Sequence, residues 1–182
     1  MTYNLNSVID NGFDIKNTFD IIINFYDPHK SKNLKSKILD VTNTYFWNDD
    51  NKYIISKSRN LTGYVKDNKY NIILFEPPKN KKFEEETNYY AEQFFKLLYN
   101  PGILIVKTND FRYDGKLKGS FDIKTIFENN NFYLYDNIIY KNSIYFDYNC
   151  DNKQFTTCSK IIHSNFLIFK QKSSESLNNL LE

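Results

Sequence analysis

The apolar run Ile72-Ile73-Leu74-Phe75 ends abruptly on Glu76, Pro77, Pro78 and Lys79. A carboxylate in that place can accept hydrogen bonds from a ligand or from local backbone. Two prolines fix the chain behind it, because each locks φ and has no N–H to offer. Asp40, with Thr42 just beyond it, and Lys107 likewise close apolar runs. Two basic groups lie nearby. Lys79, Lys81 and Lys82 follow the prolines, and Lys107, Arg112, Lys116 and Lys118 are interleaved with Phe111 and Tyr113. Cations beside aromatic rings suit a nucleic-acid strand, and a solvated loop is the plain alternative. Other chemistry has less support. Ser120 and Thr42 have no base beside them in sequence, so neither reads as a nucleophile. His163 stands alone and reads as structural. Cys150 and Cys158 lack metal-ligand spacing and read as two reduced thiols, and no metal site is expected.

The elements that must position these residues follow from periodicity. Residues 18–27 (TFDIIINFYD) are apolar enough for a buried helix or a short strand, and the helix is favoured because a basic loop follows. Residues 37–42, 52–58 and 70–78 predict strands, the last buried on both faces because it is continuously apolar. Tyr90, Phe94, Leu97 and Leu98 share one helical face, Glu84, Glu85 and Glu86 suit the positive end of that helix, and Asn100-Pro101-Gly102 is expected to stop it. Residues 103–110 predict a strand, 115–120 a loop, 121–132 a helix, and 133–142 and 164–172 two more strands. Strands joined by helices predict an α/β fold with a mostly parallel sheet. The last two strands, joined without a helix, predict an antiparallel pair at the C-terminal edge. In such a sheet ligands bind at the carboxyl ends of the strands, which is where Asp40, Glu76 and Lys107 fall.

Composition sets the outer bounds. The chain has 182 residues, 41% of them hydrophobic and 18% aromatic, which suits one folded domain, taken as residues 1–172, with a flexible tail at 173–182. The net charge of +2 excludes a polycation, so nucleic acid would need a local basic patch. No signal peptide or apolar span of bilayer length is visible, so the expectation is a soluble intracellular protein with no membrane partner. The abundance of Asn, Lys, Ile, Tyr and Phe is the mark of an AT-rich genome, such as that of a virus or mobile element.

Four stretches, in order, carry a resemblance. Residues 38–47 (ILDVTNTYFW), 71–80 (NIILFEPPKN), 97–112 (LLYNPGILIVKTNDFR) and 160–171 (KIIHSNFLIFKQ) resemble motifs of class I S-adenosylmethionine-dependent methyltransferases. The nearest resemblance is to the DNA methylases that modify exocyclic amines of adenine or cytosine. It implies a Rossmann-like methyltransferase fold. It also implies that Asp40 and Thr42 lie at the cofactor and that Glu76, Pro77, Pro78 and Lys79 occupy the catalytic corner. In that family an acid and a proline carbonyl accept the N–H bonds of the target amine and aim its nitrogen at the methyl group. An aromatic residue stacks on the flipped-out base.

The departures from the family pattern fall on parts the reaction uses. Asn43, Thr44 and Tyr45 stand where a glycine-rich turn would let the backbone approach the cofactor. Ser56 and Ser58 stand where an acid would hold the ribose. The passage from Asp40 to Glu76 is short for two crossovers of about a dozen residues each, so the cofactor half is shortened. Glu76 replaces an aspartate, moving the carboxylate by about an ångström, an error that can cost roughly 100-fold in rate. Lys79 replaces the aromatic, removing a stacking contact of about 1–3 kcal/mol. The Glu-Pro-Pro corner also resembles that of the noncatalytic subunit of the eukaryotic mRNA adenine-methyltransferase heterodimer. The expectation is a methyltransferase-fold protein without catalysis and without a cofactor, which binds nucleic acid or stabilises a catalytic partner. One alternative is an active S-adenosylmethionine-dependent amino-methyltransferase on DNA or RNA, with Phe83 or Tyr45 taking over the stacking role. Another is a structural or assembly subunit.

Overall fold

Continuous hydrocarbon on both faces makes a strand stable only between neighbours, and the two most apolar runs lie at the centre of the sheet. A computed structural model describes residues 15–42, 52–54, 61, 69–141 and 163–172. Strands β1 (Ile38–Val41), β3 (Tyr70–Phe75) and β4 (Leu98–Thr108) run parallel, with β2 (Lys52–Ile54) outside β1. Strands β7 (Phe132–Lys141) and β8 (His163–Gln171) complete a six-stranded sheet ordered β2-β1-β3-β4-β8-β7. The antiparallel pair lies at the sheet margin, as expected from the sequence. Within it the later strand is the inner one. Strand β8 inserts antiparallel between β4 and β7, so β7 runs parallel to β4.

Helices cover both faces. Helix α1 (Ile15–Tyr26) presents Phe19, Ile22, Ile23 and Tyr26, one stripe at helical spacing, to Ile38, Ile72, Leu74, Ile103, Ile105, Phe166 and Ile168. Helices α2 (Phe83–Leu97) and α3 (Ser120–Asn129) cover the opposite face, where Phe94 and Phe127 pack with Ile73, Phe75, Leu104, Val106 and Phe169. No helix among the described residues is long and apolar enough to cross a membrane.

Two features differ from the sequence expectation. Helix α2 begins at Phe83, which is 4% exposed, with Glu84, Glu85 and Glu86 in its first turn as expected. It ends before Asn100-Pro101-Gly102: Leu98 is already extended, and these three residues lie within β4. Gly102 is needed there, since a Cβ would lie 2.4 Å from the Tyr99 carbonyl oxygen. The second difference is that the segment expected as a loop forms a hairpin, β5 (Phe111–Tyr113) with β6 (Lys116–Lys118). Asp114 and Gly115, both with positive φ, make its two-residue turn, the geometry that Asp-Gly favours because it follows the strand twist. Residues 173–182, read as a tail, lie outside the described residues.

Candidate functional site

The sheet register brings three sequence-distant residues into one row. Val41 pairs with Phe75 and Phe75 with Val106, so Thr42, Glu76 and Lys107 are the next residues across three parallel strands. Side chains alternate between faces. Leu74 and Ile105 pack beneath α1, which places Glu76 and Lys107 on that same face at the carboxyl edge. Lys107 Nζ donates to Glu76 Oε1 at 2.7 Å, and their side chains are 6% and 14% exposed. Pro77 is buried and Pro78 half-buried. With no N–H on either, the strand cannot continue past Glu76.

Asp40 and Thr42 lie one strand away. Asp40 is fully buried, and its Oδ1 accepts hydrogen bonds from Thr42 N at 2.9 Å and Thr42 Oγ1 at 2.6 Å. The Asp40 oxygen is thus engaged in turning its own strand end. Thr42 is 2% exposed. The stretch Asn43–Trp47 and the serines Ser56 and Ser58 lie outside the described residues.

The basic residues divide into two sets. Lys107 is buried in its ion pair. Lys118 pairs with Glu84 and lies 3.6 Å from Asp122, and the Glu84 hydrogen bond is the chief cause of its raised pKa. The exposed set is Lys79, Lys81, Lys82, Arg112 and Lys116. The fold assembles these from two separate segments. Asn80 accepts from Lys82 N at 2.7 Å and sets the entry to α2, and Phe83 then meets Phe111 edge-on at 5.2 Å. That ring contact and the Lys118–Glu84 pair dock the hairpin beside the lysines. Tyr113 and Leu117, on the hairpin, are 46% and 54% exposed, and Phe121 at the start of α3 is 80% exposed. Phe83 cannot serve as a replacement stacking surface, because it is itself packed under the hairpin.

Lys79 is exposed as a residue, but its ammonium lies close to the corner. Partial burial of its ammonium lowers its pKa, Lys107 lowers it further, and Glu76 opposes both. Sequence reading passed over a further cluster. Asp110 Oδ1 accepts from Ser120 N at 2.8 Å and Ser120 Oγ at 2.7 Å, and Asn165 Nδ2 donates to the same hydroxyl at 3.5 Å. Ser120 is therefore a tie between the β4–β5 connection, α3 and β8. Gly119 permits this closeness, since a Cβ there would lie 2.3 Å from Asp110 Oδ1. The signal available in sequence was Asp110 followed by a Gly-Ser pair at a helix start, a common way to satisfy free N–H groups.

No protein-family profile matches the chain, and no curated protein does. Solved structures do. A crystal structure of an S-adenosylmethionine-dependent methyltransferase from Clostridium acetobutylicum ATCC 824 is similar with a TM-score of 0.50 and 11% identity, covering 93% of this chain and 96% of that one. A protein of Thermus thermophilus, described as a DNA modification methylase and complexed with S-adenosyl-L-methionine, has a TM-score of 0.49 and 14% identity over 75% of this chain. The chain spans 56% of that protein's length. The fold is that of the class I S-adenosylmethionine-dependent methyltransferases, Rossmann-like with a mixed, mostly parallel sheet.

Proposed function

We propose that this methyltransferase-fold protein does not methylate amines and instead binds nucleic acid, or steadies a catalytic partner, through the carboxyl edge of its sheet. The observation that carries the reading is the Glu76–Lys107 ion pair at 2.7 Å. A target amine must donate its N–H groups to the corner carboxylate before its nitrogen can be aimed. Here an ammonium donates to that carboxylate already, and Lys79 adds a second donor where a base would stack. An incoming amine would have to compete with that ammonium for the carboxylate. The same edge carries the exposed lysines of the α2 entry and the aromatic and basic hairpin, which supports contact with phosphates and bases. Under this reading the chain works without S-adenosylmethionine, the cofactor of the active alternative. That alternative draws support from the near-complete overlap with the Clostridium enzyme's fold.

Two measurements test the proposal. Transfer of labelled methyl from S-adenosylmethionine to DNA and to RNA is expected to stay at background, and transfer above background would overturn it. Fluorescence anisotropy with short single-stranded oligonucleotides is expected to show binding that weakens with salt, and Arg112→Gln with Lys116→Gln is expected to weaken it further. A protein that retains no oligonucleotide but copurifies with a stable protein partner would point to the assembly role instead.

A further inference from the structure

We propose that the corner of Glu76, Lys79 and Lys107 is an anion site that takes a phosphate group of a nucleic-acid strand on Lys79, while Glu76 withholds Lys107 from the same ligand. The inference rests on the nucleic-acid reading above and adds to it a ligand chemistry for the former catalytic corner.

Charge is the first ground. The corner holds two ammonium groups against one carboxylate, and the carboxylate is committed to Lys107 at 2.7 Å in a nearly buried pair. The unmatched charge sits on Lys79, which is exposed. A nearby anion would favour the charged form of Lys79, which partial burial and Lys107 now disfavour.

An unused hydrogen-bonding group is the second ground. Lys107 pairs with Phe166, so Ser164 lies one alternation step further out on β8, on the same face. Ser164 Oγ is buried and has no hydrogen-bond partner among the described residues. Buried polar atoms are rarely left so. Its hydroxyl can donate to a phosphate oxygen. The exposed Lys81, Lys82, Arg112 and Lys116 lie on the connecting segments at this edge, where they can take neighbouring phosphates of one strand.

The experiment measures affinity for dT12 and for rU12 against salt concentration, with inorganic phosphate as a competitor. Lys79→Gln is expected to weaken binding several-fold and to reduce the salt slope by about 0.7, the loss of one single-strand phosphate contact. Glu76→Gln is expected to act in the opposite direction, tightening binding several-fold and steepening the slope by about 0.7, because Lys107 becomes available. The double variant Glu76→Gln with Lys107→Met should bring affinity back down toward that of the parent. This assigns the gain to Lys107 and controls for any change in folding. Weaker or unchanged binding in Glu76→Gln, while Arg112→Gln still weakens it, would overturn the anion site and leave the nucleic-acid reading standing. No binding of either oligonucleotide by the parent would overturn both. Millimolar phosphate competing as well as an oligonucleotide would assign the site to free phosphate and overturn the strand assignment.

Discussion

The middle of strands β3 and β4 and their carboxyl tips ask different things of a side chain. From Ile72 to Phe75 and from Ile103 to Val106 every residue is a hydrocarbon no more than 1% exposed. One residue further along, the same two strands carry Glu76 and Lys107, almost as well buried but charged. In the middle, stability comes from volume and shape, and many apolar residues would serve. At the tips each group depends on one named partner, since a buried charge without a counter-charge is costly. The core can therefore drift in sequence while the fold persists. A change at the tip alters the chemistry that the edge can perform.

The largest test of this contrast lies in the core. Phe75 meets Tyr90 and Phe94 at 5.0 Å and Phe127 at 6.4 Å. Phe75→Ala should cost about 3–5 kcal/mol in chemical denaturation, whereas Phe75→Leu should cost far less. At the tip, Lys107→Met should cost about 2–3 kcal/mol by stranding Glu76 in a nearly buried place. Adding Glu76→Leu should restore stability to within about 1 kcal/mol. A double variant as unstable as the single one would show that the pair is not the unit.

Gly119→Ala comes next. Its φ of 144° is one that side chains rarely adopt, and the added Cβ would meet Asp110 Oδ1. A loss of about 1–3 kcal/mol is expected, with weakening of the Ser120 tie seen as faster amide exchange at the start of α3.

The smallest effect concerns Lys79. Its folded pKa lies below the unfolded value of 10.5, so the unfolded chain holds more protons between the two. Stability must then rise with pH through that window. Lys79→Met should flatten this rise, and a parent curve that falls over the same range would contradict the assignment.

Particular residues show what was legible. The strands at 38–41, 70–75 and 103–108 were plain, because each is a run of consecutive apolar residues, whereas 18–27 could be read as helix or strand. The Asp114-Gly115 turn was equally local but was passed over in favour of the charge pattern around it. The burial of Phe83 at the start of α2 was not legible, because it sits among charges and packs against Phe111, far along the chain. For the site, Glu76 and Lys107 could each be placed at a strand end, yet their pairing could not be read.

The order of apolar runs and the polar residues that end them was determined by the sequence alone, since alternation and run length are properties of neighbouring residues. The tertiary structure decided that β8 would enter between β4 and β7, that the hairpin would lie against α2, and that Lys107 would reach Glu76 and not solvent. Those outcomes depend on register between strands. Register is set by how whole apolar faces fit together, and no short stretch of chain contains that information.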